Sequence, residues 1–147
     1  MTTLMRLAMF SQAAFPLVSS SSELETDLLS ILSQSQRSNL QHGLTGVLYY
    51  GNGYFVHYLE GEQSAMTAVM TRMALDTRHR NLEVVWLEPI EQRRFSQWRM
   101  RFLQTDRRLA QLLKQHEVAD FQPYEFSLDL LQDLIDAAAE PDYQRCA

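Results

Sequence analysis

An α+β fold built on one five-stranded sheet is what this chain predicts, and three observations predict it. Two aromatic-rich arms within 43–61 are joined through Gly51-Asn52-Gly53, a strong short-range hairpin signal. A stretch of helical periodicity lies on each side of that hairpin. Strand-like alternation occurs once before the first helical stretch and twice after the second. The order is therefore strand, helix, two strands, helix, two strands, or βαββαββ, with further helical pattern toward the C-terminus.

The first strand is expected at Leu4 to Phe10, with Met5, Leu7 and Met9 on one face and Arg6 and Ala8 on the other. Ser11-Gln12 is expected to end it, and Phe15-Pro16 with Ser19 to Ser22 to form a loop. Ser21 or Ser22 suits a helix N-cap, and Glu23 and Glu25 suit the first turn, where negative charge meets the positive end of the helix dipole. Leu24, Leu28, Ile31, Leu32 and Ser35 then recur at helical spacing, which carries the helix to about Asn39, with Gly43 beyond its end.

In the hairpin, alternation sends Phe55, His57 and Leu59 to one face and Tyr54, Val56 and Tyr58 to the other. After Gly61-Glu62, Met66, Val69, Met70 and Met73 mark one stripe of a second helix. Methionine there suits plain core packing, and its softness also suits a wall against a planar ligand. Asp76 to Arg80 is expected to close that helix, Asn81 to Pro89 to form the fourth strand, and Phe95 to Phe102 the fifth. Leu109, Leu112 and Leu113 mark one C-terminal helix, and Phe126 to Ala139 another. The strand and helix order is the ferredoxin-like arrangement with one added strand and two helices on one face. The C-terminal helices should cover the other face, because a face bearing Tyr58 or Trp98 would otherwise be a large apolar patch.

At 147 residues, 46% apolar and 21% charged, the chain can bury a substantial core within one unit. The expected organisation is 1–103 as the sheet domain, 104–140 as a helical cap of the same unit and 141–147 as a tail. A net charge of -5 disfavours nucleic acid as a partner. The arginines 93, 94, 99, 101, 107 and 108 are better read as a solvated face with internal ion pairs. The lone Cys146 supplies neither a disulfide framework nor a thiolate metal site, and His42, His57, His79 and His116 have no paired ligand spacing. There is no signal-peptide pattern and no apolar run long enough to span a bilayer, so the expected setting is cytoplasmic, without a membrane partner.

The blocks along the chain are similar to the BLUF domains, flavin-based blue-light sensors, in the short form with two C-terminal helices. The resemblance rests on Arg6-Leu7, 35–39 (SQRSN), 43–46 (GLTG), Gly53-Tyr54-Phe55, Leu59-Glu60-Gly61, 76–79 (DTRH), Pro89-Ile90 and 94–100 (RFSQWRM), in that order and spacing. It implies FAD between the two sheet-flanking helices. Asn39 would bond the ring's polar edge, Ile31 and Met73 would be its apolar walls, and Phe55 would lie beneath it. Arg72 would lie near the phosphates, with Asp76 and His79 in the segment closing the second helix. Trp98 and Met100 match the mobile pair that relays the signal outward, to a downstream signalling protein or through a homo-oligomer.

Two positions depart from the family. Its light reaction depends on a first-strand tyrosine and a third-strand glutamine, and the matching positions here are Met9 and His57. A thioether has no proton to transfer, and an imidazole lacks the two-ended amide that exchanges donor and acceptor. Photochemistry is therefore expected to be lost or altered. His57 could still hold a flavin edge, with bonding sensitive to pH. Two functions stay open: an FAD-binding sensor-type protein, and a flavin-free interaction or oligomerisation module on the same fold. An enzyme is not expected, since no nucleophile–base pair, metal cluster or phosphate loop is visible.

Overall fold

The computed structural model describes residues 3–14, 21–95, 101–104 and 106–140. Five strands, β1 (Leu4–Ala13), β2 (Thr45–Gly51), β3 (Tyr54–Glu62), β4 (His79–Pro89) and β5 (Arg101–Gln104), form one sheet in the order β4-β1-β3-β2-β5. The helices are α1 (Ser21–His42), α2 (Gln63–Leu75), α3 (Arg107–Gln115) and α4 (Leu128–Ala139). All strand pairs are antiparallel except β2 with β5. This is the expected ferredoxin-like α+β fold. The two-residue hairpin turns on Asn52 and Gly53, both at positive φ (53° and 81°), the geometry that an Asn-Gly pair adopts most readily.

The sheet buries both faces. On one, Met5, Leu7, Met9, Leu48, Phe55 and Leu59 pack with Leu28 and Ile31 of α1 and Met66, Val69 and Met73 of α2. On the other, Ala8, Phe10, Val47, Tyr49, Val56 and Tyr58 pack with Leu109 and Leu113 of α3 and Leu130, Leu131, Leu134 and Ile135 of α4. The C-terminal helices thus cover the second face as the apolar pattern requires. Gly46 leaves room for the adjoining β3 backbone, because any Cβ there would collide with the Tyr58 carbonyl.

Several boundaries differ from expectation. β1 does not stop at Ser11 but continues to Ala13, because β3 and β4 both extend far enough to pair with it, through Gln12↔Tyr54 and Ala13↔His79. α1 runs one turn further, to His42. His79 opens β4 instead of closing α2, whose C-cap is Asp76. Phe95 is not a strand residue: it is buried in a loop, and the described part of β5 is Arg101–Gln104. Phe126 caps a short 3-10 turn, and α4 starts only after the Ser127 cap. Trp98, Met100, Cys146 and the Phe15-Pro16 loop lie outside the described residues, as do the side chains of Ser21 and Ser22.

Much of the basic cluster is tied into the fold. Arg93 donates to the carbonyls of Gly43 and Glu60 and to Thr45 Oγ1, each at 2.8 Å. Arg94 pairs with Asp136 at 2.9 Å, Arg101 donates to the Ala138 carbonyl at 3.2 Å, and Arg108 pairs with Glu140.

Candidate functional site

Strand alternation fixes which side chains meet α1 and α2. Met9 of β1 lies directly opposite His57 of β3, and Leu48 of β2 opposes His57 from the other side. These three, with Ser11, Phe55 and Leu59, form the floor beneath the two helices. α1 lies chiefly over β2, and α2 over β1, β3 and β4, so the helices rest on the sheet more than on each other. Ile31 and Met73 stand buried on opposite helices above this floor.

The floor also carries buried polarity, which an ordinary sheet–helix core avoids. Ser11, Asn39, His57 and His79 are each less than a tenth exposed. Ser11 Oγ is 3.0 Å from His57 Nε2 and 2.9 Å from His79 Nδ1, so one hydroxyl joins β1 to both β3 and β4. The two imidazoles sit with ring centroids 5.2 Å apart, and Phe55 lies 4.8 Å from His79 and 5.7 Å from His57. The β1–β4 register shifts twice, between Ala8 and Met9 and between Phe10 and Gln12, an irregularity of the kind that re-aims side chains beside functional sites.

Behind His79, Asp76 Oδ2 lies 3.9 Å from Nε2. Asp76 is held in turn by Arg78, whose guanidinium reaches both carboxylate oxygens at 2.8–2.9 Å. Burial opposes the charge on Asp76, but the Arg78 hydrogen bonds prevail and hold its pKa down to about 2. His79 is pushed down to about 4, chiefly by burial. Burial, then the neighbouring His79 and Arg72, push His57 well below the usual histidine range. Both imidazoles are therefore neutral near pH 7, poised beside an ionised carboxylate.

Most of the residues expected from the sequence are brought to this side of the sheet. Ile31, Phe55 and Met73 share one buried cluster with Met9. Asn39 is fully buried in the last turn of α1, where its carbonyl also accepts from Leu44 N at 2.8 Å. Arg72 is half-buried in the last turn of α2, and its Nε is buried without a hydrogen-bond partner among the described residues. Such a cationic donor, beside apolar walls and a polar floor, fits a ligand that has both a flat apolar ring and an anionic part. The residues present therefore fit a flavin nucleotide. Tyr58 points to the opposite face, where its hydroxyl donates to Glu60 at 2.8 Å, so it does not substitute for the missing first-strand phenol.

Sequence reasoning missed Ser11, because the strand was expected to end there. The continuing alternation Met5, Leu7, Met9 would have placed it on the same face as His57. It also missed Glu60, a fully buried carboxylate that accepts from Tyr58 Oη, Arg94 N and Phe95 N, the latter two at 2.9 Å.

Known proteins share this fold. The family model described as sensors of blue-light using FAD, BLUF, matches residues 4–101. The chain is 36% identical over 98 residues to photoactivated adenylate cyclase subunit beta of Euglena gracilis, covering 66% of this chain and 11% of that protein. It is 36% identical over 90 residues to subunit alpha from the same organism, covering 61% of this chain and 8% of that one. The chain thus spans about a tenth of the length of these relatives. Among solved structures, BlsA in its photo-activated state superposes with a TM-score of 0.82 at 25% identity, over 92% of this chain and 94% of that one. BlrB, a BLUF protein in its dark state, gives 0.76 at 28% identity, over 95% and 97%. A bacterial light-regulated adenylyl cyclase gives 0.66 at 25% identity, over 78% of this chain and 33% of that one.

Proposed function

The chain belongs to the BLUF family of sensors of blue light using FAD, and from that premise we propose that it binds FAD between α1 and α2 and signals through protein–protein contacts, with the ordinary blue-light reaction lost or altered. The observation that carries this reading is the direct pairing of Met9 with His57 on the floor of the site. The family's tyrosine and glutamine positions are thus neighbours here, and neither retains its chemistry.

Bound FAD would supply blue absorbance and a one-electron acceptor. Ile31 and Met73 would wall the ring, Phe55 and Met9 would support it, and Asn39 and His57 would bond its polar edge. Arg72 would balance phosphate charge, while Asp76 and His79 would brace the end of α2 and the start of β4. Met9 can pack against a ring but has no proton to give, so it cannot return an electron and proton together as a phenol does. Trp98 and Met100 would be the relay to a downstream signalling protein or to a second copy of the chain.

The experiment is the visible spectrum of purified protein before and after incubation with FAD, followed by blue illumination. The expected result is flavin absorbance without a persistent red-shifted state. Replacing Met9 by Tyr and His57 by Gln together should create a photocycle. A persistent red-shifted state in the unaltered protein would refute the role given to the two substitutions.

A second reading, a flavin-free interaction module, draws on a separate observation. Met9, Ser11 and His57 are all buried, and Ser11 Oγ lies within hydrogen-bond distance of His57 Nε2, as in a self-contained core. Failure of both the unaltered protein and the double variant to take up FAD would select it.

A further inference from the structure

Two imidazoles share one hydroxyl, and a hydroxyl has only one proton. Ser11 Oγ lies within hydrogen-bond distance of His57 Nε2 and His79 Nδ1. With both rings neutral, it can donate to only one of these nitrogens, so at least one ring must donate its own N–H to the oxygen. Three proton arrangements satisfy that rule. In the first, His57 Nε2–H donates to Ser11, Ser11 donates to His79 Nδ1, and His79 carries its own proton on Nε2. In the second every bond is reversed, leaving His79 Nε2 bare and His57 protonated on Nδ1. In the third both rings donate to the oxygen, which again leaves His79 Nε2 bare.

Asp76 separates the first from the other two. Its Oδ2 lies 3.9 Å from His79 Nε2, with the His79 side chain only 1% exposed. Nε2 has no hydrogen-bond partner among the described residues, and of the charges acting on the ring Asp76 outweighs each of Arg78 and Arg72. The first arrangement points an N–H at that charge, and the other two point a lone pair at it. In a site this dry the difference is not screened by solvent. The Arg78 clamp on both carboxylate oxygens keeps Asp76 ionised and in place.

We infer that Asp76, acting through His79 and Ser11, holds His57 in the tautomer protonated on Nε2, so that His57 presents Nδ1 as a bare acceptor and selects a ligand edge that carries an N–H. Asp76 is then a positioning residue three links away from the group it sets. This inference rests on the flavin reading above for the identity of the ligand. The isoalloxazine carries a hydrogen on N3 in both redox states and on N5 only when reduced, so with His57 at the N5 edge the selection would favour the reduced cofactor. A tyrosine–glutamine pair has no such fixed polarity, because an amide offers both a donor and an acceptor.

The test has two readouts. Long-range proton–nitrogen NMR of the histidine rings in flavin-free protein near pH 7.5 reads the tautomers directly. His57 and His79 should both carry their proton on Nε2, and Asp76→Asn and Ser11→Ala should each mix the His57 tautomers. An Nδ1-protonated His57 in the unaltered protein overturns the inference even if neither variant folds. The second readout is anaerobic binding of FAD and of dithionite-reduced FAD. The preference for the reduced form should fall about tenfold in His57→Phe, the worth of one hydrogen bond. An unchanged preference overturns the selectivity. Absence of any flavin uptake overturns the preceding reading instead, and leaves the tautomer result standing.

Discussion

The two faces of the sheet are built from the same five strands and solve burial differently. On the α3/α4 face the core is aliphatic and aromatic, and its buried carboxylate, Glu60, is saturated by a phenol and two backbone amides. On the α1/α2 face a serine, an asparagine and two histidines are buried among methionines, and Arg72 Nε and His79 Nε2 lack hydrogen-bond partners among the described residues. Buried polar groups left short of partners cost about 1–3 kcal/mol each, a cost this face tolerates. The difference teaches that α3 and α4 hold the sheet together, while α1 and α2 roof a site.

The largest effect expected is on the α3/α4 face. Leu134→Ala removes a fully buried side chain from the centre of α4 and should cost about 2–5 kcal/mol in denaturant unfolding. FAD uptake by the folded fraction should be unchanged. A large loss of uptake at full foldedness would break the division between the faces.

Acid should weaken the α1/α2 face selectively. His57 and His79 have folded pKa values below the unfolded histidine value of about 6.5, so the unfolded chain binds protons that the folded one refuses. Their contribution is complete above pH 6.5 and is lost as pH falls through the window toward about 4, the His79 value. For His79 alone the loss by pH 4 is on the order of 3 kcal/mol. His79→Gln should flatten unfolding free energy against pH between 6.5 and 4. A profile as steep as that of the unaltered protein would show that His79 is not the group being titrated.

Ser11→Ala removes the shared hydroxyl and should cost about 1–2 kcal/mol, because two ring nitrogens lose their partner inside the fold. It sharpens the comparison if the acid transition also shifts. The smallest effect belongs to neither core: Leu75 is 78% exposed at the end of α2, and Leu75→Ser should change unfolding free energy by no more than about 0.5 kcal/mol.

Periodicity made most of the architecture legible. Alternation in Phe55-Val56-His57-Tyr58-Leu59 assigned each side chain to the face it occupies, and Asn52-Gly53 identified the turn, since both signals depend only on local backbone geometry. The similarity in ordered blocks, the methionine stripe of α2 and the replacement of two chemically distinctive residues could also be read along the chain. Strand ends could not, because Ser11 and His79 become strand residues only when a partner 46 or 68 positions away is there to pair with or bond. Neither could the joining of Asp76, His79, Ser11 and His57 into one polar chain, which brings together β1, β3, β4 and the end of α2. Residue types, spacing and faces were thus determined by the sequence alone. Which buried groups share a proton was decided only by tertiary packing, because hydrogen bonding acts over about 3 Å of space, whatever the distance along the chain.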